Sequence, residues 1–272
     1  MTAGGIRPAW SEAFDPAPEV PTGGLPVSAA WAFDDADGGG VPVAVVDSGI
    51  DETHPAVAGP FRPGVALSWD GDRRAVTAVE GPHEDMYGHG TACAGIIRRA
   101  APACELISVR VLGARLSGRG EVFAEGLRWA IAAGARVINL SLSSNKSEMF
   151  AQLHDVTDEA VHAGVVLVCA MNNVPAPSYP SQYSAVISVA ACEGADPFRL
   201  LAGAAPPADF AAPGIDLEIP WLAGGTITAT GNSFAAPHVA ALAARLLSKY
   251  PTMTPYQVKA VLRAVAGNAV PR

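Results

Sequence analysis

Apolar positions follow two rhythms along this chain, and their alternation predicts its architecture. Five short runs, Val41–Val46, Glu105–Val111, Arg136–Leu142, Val165–Ala170 and Ala185–Ala191, are β-branched and nearly uninterrupted. Such runs predict strands buried on both faces. Between them, Gly90–Arg98, Ala124–Ala133 and Phe150–Ala163 repeat apolar residues at helical spacing. Strand, helix, strand repetition predicts an α/β domain, a mostly parallel sheet with helices on both faces. Ser233–Leu247 is apolar on nearly every side and predicts a central buried helix. Pro237 is expected in its first turn, where a missing N–H costs little. Thr254–Val265 predicts a final amphipathic helix. Residues 1–24, rich in Pro, Gly and Ala without a period, read as irregular. The expected division is an N-terminal arm over 1–19 and a single domain over 20–272.

Composition narrows the function classes. The 272 residues suit one large α/β domain, and 50% hydrophobic content supplies a sizeable core. A net charge of −8 without a basic block argues against a nucleic-acid partner. The longest apolar stretches, such as Val165–Met171, are strand-sized, so no membrane partner is expected. The first ten residues lack the basic start and apolar core of a secretory signal, and a cytoplasmic location is expected. Cys93, Cys104, Cys169 and Cys192 lie in apolar segments without metal-type spacing and read as reduced thiols. No cofactor and no metal site is expected. Asp70, Asp72, Glu84 and Asp85 form a small acidic group, read as a solvated loop in preference to a ligand site.

Three residues sit in frames that nucleophilic catalysis would need. Asp47 ends the apolar run Val43-Ala-Val-Val-Asp47, which places it at a strand's C-terminal end, where α/β sites gather. Its other reading is a helix N-cap. His89 lies between Gly88 and Gly90, a frame that lets its ring approach another backbone. Ser233, in Gly231-Asn-Ser233-Phe-Ala-Ala-Pro237-His238, falls at a helix N-terminus, where developing negative charge is favoured. A serine hydroxyl becomes a useful nucleophile when a histidine takes its proton and a carboxylate orients that histidine. The chain order Asp, His, Ser is the subtilisin order.

The words Asp47-Ser-Gly-Ile-Asp51, His89-Gly-Thr, Val111-Leu-Gly, Val137-Ile-Asn-Leu-Ser-Leu142 and Ala235-Ala-Pro-His-Val239 resemble the subtilisin (subtilase) family from about Val20 to the last helix. The resemblance implies a three-layer fold with a largely parallel seven-stranded sheet. It also implies endopeptidase activity on a protein or peptide substrate through an acyl-enzyme. In that scheme Ser233 attacks, His89 moves the proton and Asp47 holds the imidazole. Asn173 matches the family's oxyanion amide in preference to Asn172, although it also suits a turn. The substrate-pairing edges would be Leu116-Ser117-Gly118 and Ser141-Leu142-Ser143, with Ala170-Met171-Asn172 lining the pocket for the residue before the cut. Leu116–Gly118 also reads as an ordinary loop, and Ser141–Ser143 as a strand end.

Four departures from the family pattern carry expectations. Ser143 and Asn172 stand where glycine is usual, so small side chains before the cut are expected. Asn232 replaces the usual threonine before the nucleophile, and it either adds an oxyanion donor or repairs the turn. Ala56 replaces a calcium-binding Asp, and the ligand loop in the helix after His89 is missing, so tight calcium binding is not expected. Only about twenty residues precede the family-like region, as in intracellular relatives, and residues 1–19 either cross the cleft or form a free arm. A peptide-binding pseudoprotease and a transpeptidase that resolves the acyl-enzyme with an amine remain the alternative functions. A restricted substrate such as a peptide precursor is the expected task.

Overall fold

Alternate residues of each buried strand face two different cores, and this is what makes the molecule three layers thick. A computed structural model describes residues 27–203 and 206–268. The expected arm over 1–19 lies outside the described residues. On β1 (Pro42–Asp47), Val43 and Val45 point into one core while Ala44 and Val46 point into the other. Every residue of β1 is buried, as a run without polar interruption requires.

Seven parallel strands form the centre of a nine-stranded sheet. In spatial order they are β2 (Phe61–Asp70), β4 (Glu105–Arg110), β1, β5 (Val137–Leu140), β6 (Val166–Ala170), β7 (Ile187–Cys192) and β9 (Phe210–Pro213). The antiparallel strands β3 (Ala75–Glu80) and β8 (Leu201–Ala202) close the two edges. The expected seven strands therefore correspond to the parallel part. A separate hairpin pairs β10 (Leu217–Trp221) with β11 (Gly225–Ala229).

One core packs α1 (Ala29–Phe33), α2 (His89–Ala100), α5 (Asn232–Lys249) and α6 (Pro255–Val265) against the sheet. The opposite core packs α3 (Gly120–Ala132) and α4 (Phe150–His162). Thr254 starts α6 with a reciprocal capping box to Gln257, which fixes where that helix begins. Because β4, β1, β5 and β6 are adjacent and parallel, their C-terminal ends and the loops that follow share one edge. That edge carries Asp47, the 111–118 loop, Ser141–Ser143 and Met171–Asn173. Among the described residues no helix is long and apolar enough to cross a membrane.

Candidate active site

Asp47 is the last residue of β1 and is 0% exposed. His89 opens α2, is 5% exposed, and places Nδ1 2.9 and 2.8 Å from the two Asp47 carboxylate oxygens. Gly90 is what permits this approach. A Cβ there would collide with the Gly49 carbonyl oxygen and sit 3.2 Å from the Asp47 Cβ. Burial disfavours the imidazolium, but the Asp47 carboxylate outweighs it and raises the His89 pKa well above the ordinary histidine value.

Ser233 is the second residue of α5, whose N-cap, Gly231, offers no side-chain cap. The helix begins at Asn232, so Pro237 falls in the second turn and not in the first as expected. A residue there would normally donate to the Ser233 carbonyl, and proline cannot. Ser141 Oγ takes over, donating to the Ser233 carbonyl at 2.7 Å. Ser141 Oγ in turn accepts from Asn139 Nδ2 at 3.0 Å and from the Cys93 thiol at 3.2 Å. The missing helical bond is thus replaced by a buried polar chain anchored on β5.

The three frames converge on one place. Cys93 Sγ lies 4.0 Å from His89 Nδ1 and 3.7 Å from the Ser233 carbonyl oxygen. The Phe234 ring lies 5.3 Å from the His89 ring. The hydrogen bonds of the His89 ring run through Nδ1, and none joins Nε2 to Ser233 Oγ.

Asn173 reaches the N-terminus of α5. Its Oδ1 accepts from the Asn232 N–H at 3.0 Å, and its Nδ2 meets no protein acceptor among the described residues. Asn172 accepts from the Val174 N–H at 3.2 Å and stabilises the local turn. Of the expected substrate edges, Ser117 and Gly118 line a cleft of about 410 Å³ with Trp69, Arg110 and Leu112. Leu116 stands in a left-handed turn closed by Leu116 N–H to Gly113 O at 2.9 Å. Met171, Asn172 and Asn173 line a second recess of about 540 Å³ with Ser178, Ser181 and Gln182. Ala170, by contrast, is buried at the end of β6. Ser141, Leu142 and Ser143 follow β5 and are half-buried, but the Ser141 side chain turns inward, as described above.

Several site residues were not legible from their sequence neighbourhoods. Asp85 is the main correction, since it is 8% exposed and not part of a solvated loop. Its carboxylate accepts from Ser48 Oγ at 2.7 Å, Gly88 N–H at 2.8 Å, Tyr87 N–H at 3.0 Å, Thr91 N–H at 2.9 Å and Thr91 Oγ1 at 2.6 Å. Burial opposes the charge, yet these bonds hold the carboxyl below its usual range. Asp85 thereby caps α2 from outside the helix, in place of Gly88, which has no side chain to do so. The one available hint was its position four residues before His89. Glu84 and Asp72 are exposed as expected.

Two cation questions arise at this edge. Asp47, His89 and Cys93 bring possible ligand atoms within 4.8 Å of one another. At 2.8 Å, however, the His89–Asp47 pair has a proton's spacing and leaves no gap for an ion. The family's calcium site, already departed from in the sequence, does not fit these residues either. Beside Ala56, the buried Arg98 guanidinium already donates to the carbonyls of Val57 (3.3 Å), Pro60 (2.9 Å), Pro102 (2.8 Å) and Cys104 (2.7 Å). His54 and His238 hold backbone instead of ligands, through Gly225 O at 3.0 Å and Pro197 O at 3.2 Å. Burial takes the His238 pKa down to about 4.

A profile described as Subtilase family matches residues 38–271. The chain belongs to the subtilase family. This subtilase is 35% identical over 245 residues to Subtilisin from Bacillus pumilus, covering 84% of each chain. It is 33% identical over 235 residues to Thermitase from Thermoactinomyces vulgaris, covering 82% of this chain and 80% of that one. The match to Subtilisin E from Bacillus subtilis (strain 168), 34% identical, covers 84% of this chain and 61% of that protein. Among solved structures, a cold adapted subtilisin-like serine proteinase superposes with a TM-score of 0.68 at 24% identity, covering 86% and 87% of the two chains, and shows the shared fold. By class, this subtilase is a subtilisin-like serine endopeptidase.

Proposed function

We propose that this subtilase hydrolyses peptide bonds with Ser233 as nucleophile, His89 as general base and then acid, and Asp47 as the carboxylate that orients His89. The observation that carries the reading is the buried 2.8 Å His89–Asp47 pair beside the N-terminus of α5, whose N-cap Gly231 offers no side chain. His89 Nδ1 faces Asp47, so Nε2 is the nitrogen left to take the Ser233 proton. As Oγ attacks the carbonyl, negative charge collects on its oxygen. The Ser233 backbone N–H and the Asn173 amide then donate to that oxygen. The imidazolium next protonates the leaving amine, and water resolves the acyl-enzyme by the same proton route in reverse.

Substrate pairs as an added strand with Leu116–Gly118 on one side and Ser141–Ser143 on the other, so backbone bonds supply affinity and pockets supply choice. Ala170–Asn172 flank the residue before the cut. The side chains of Ser143 and Asn172 narrow that pocket and favour small residues, which fits a restricted substrate such as a peptide precursor. The four unpaired thiols fit a reducing compartment, and cytoplasmic location belongs to the proposal.

The test is digestion of a mixed peptide library with mass-spectrometric readout, beside Ser233→Ala. Cuts made by the wild type alone, enriched in Ala, Ser or Gly before the cut, are expected. A profile dominated by Phe or Tyr would overturn the pocket reading. Cuts that persist in Ser233→Ala would overturn the nucleophile.

A further inference from the structure

Asn232, next to the nucleophile, makes four hydrogen bonds and spends none of its side chain on the reaction. Its Nδ2 donates to the carbonyls of Met171 and Asn172, both at 3.2 Å. Its Oδ1 accepts from the Ala191 N–H at 2.8 Å. Its own backbone N–H donates to Asn173 Oδ1 at 3.0 Å. The amide orientation is unambiguous, because one side meets an N–H and the other meets two carbonyls, a pattern that fails if oxygen and nitrogen are exchanged. Both amide hydrogens are therefore engaged, and of the two roles open to this residue the donor role is not the one its geometry supports.

We infer that Asn232 is a positioning residue that aims the Asn173 amide, by tying the segment after β6 to β7 and to the N-terminus of α5. Met171 and Asn172 directly precede Asn173, so holding their carbonyls fixes where the Asn173 backbone leaves the sheet. The Asn232 N–H then fixes which end of the Asn173 amide points toward α5. With Oδ1 pinned, Nδ2 is the end left to face a developing oxyanion. Asn173 is solvent-exposed and its neighbours Val174 to Pro177 are exposed too, so little else in its surroundings would hold that orientation. A threonine at this position has one hydroxyl and cannot span two carbonyls and an N–H at once. Oxyanion stabilisation depends on donors held in place before the reaction, so a loosened Asn173 lowers turnover without weakening ground-state binding.

This inference rests on the proposed role of Asn173, and a double-mutant cycle separates the two. The full chain is compared as wild type, Asn173→Ala, Asn232→Ala and the double variant. Each is read as kcat and KM on one peptide cleaved in the library, with melting temperature as the folding check. Asn173→Ala is expected to cost about 10²–10³ in kcat, the magnitude known for loss of this donor in subtilisin itself. Asn232→Ala is expected to lower kcat roughly 10–100-fold with KM little changed. In the Asn173→Ala background, Asn232→Ala should cost less than about threefold, since nothing remains to be aimed. Equal losses in both backgrounds, or a loss confined to KM, would overturn the positioning role while leaving Asn173 intact. No loss from Asn173→Ala itself would instead overturn the oxyanion reading beneath it. Should Asn232→Ala fail to fold, Asn232→Asp enters the cycle, because it keeps the bond to Ala191 and removes both donors.

Discussion

His89 and Asp85 are two buried titratable groups at one helix start, and their shifts have opposite consequences. The His89 pKa is raised, and in the proposed mechanism only neutral imidazole accepts the Ser233 proton. Activity is then present above that raised value and is lost as pH falls through it. The acid limb of kcat/KM is expected to have its midpoint above the ordinary histidine value, about 6.5. Asp47→Asn should move that limb downward and reduce kcat by about 10⁴-fold, a magnitude carried over from triad proteases. A limb centred below about 6, or one unmoved by Asp47→Asn, would contradict the pairing. Asp85 is shifted the other way, and its stabilisation is present above the unfolded carboxylate value and lost as pH falls through the lower folded one. Asp85→Ala orphans the Gly88, Tyr87 and Thr91 N–H groups and is expected to cost about 3 kcal/mol in urea unfolding at neutral pH. An unchanged unfolding midpoint would show that water replaces the carboxylate at no cost.

At the scale of elements, Arg98 ties the end of α2 to the loop before β2. Its four carbonyl acceptors come from two separate turns, 57–60 and 102–104, and no carboxylate pairs with it among the described residues. An internal guanidinium thus gathers main-chain oxygens much as a hard cation would, without needing a free ion. Arg98→Met removes four hydrogen bonds at once, two of them to carbonyls of the buried residues Val57 and Cys104, with an expected loss of about 3 kcal/mol. The wild-type melting temperature should be the same with and without EDTA. A large drop in chelator would contradict this, and so would an Arg98→Met protein as stable as wild type. Helix α5 shows a related economy, since the bond removed by Pro237 is restored from β5 through Ser141. Elements with a strong internal period, such as β1, β4, β6, α4 and α5, were legible in the sequence to within a few residues. Strand β2 was not, because Pro63 and Gly64 interrupt its pattern where its register with β4 shifts. The two-residue β8 and the four-residue β9 are too short to carry a period.

For the whole molecule, one sheet edge collects what the sequence separates by up to 186 positions, from Asp47 to Ser233. The places of Asp47, His89 and Ser233 in the fold were legible because each carries its constraint in adjacent residues: an apolar run, flanking glycines, or a helix start. Asp85, Ser141, Cys93 and Asn139 were not, because their roles come from partners distant in the chain, and local polarity alone suggests exposure. Asn232 was legible as a departure but not as a device, since its meaning depends on where the segments after β6 and β7 end. The claim that unites these observations is that Ser233 is an activated nucleophile within a formed oxyanion site. The most direct measurement is intact-mass labelling of the purified full chain with a fluorophosphonate, beside Ser233→Ala. A single covalent adduct on wild type, abolished in Ser233→Ala and slowed in Asn173→Ala, is the expected result. An unlabelled wild type, or an adduct that survives Ser233→Ala, would contradict it.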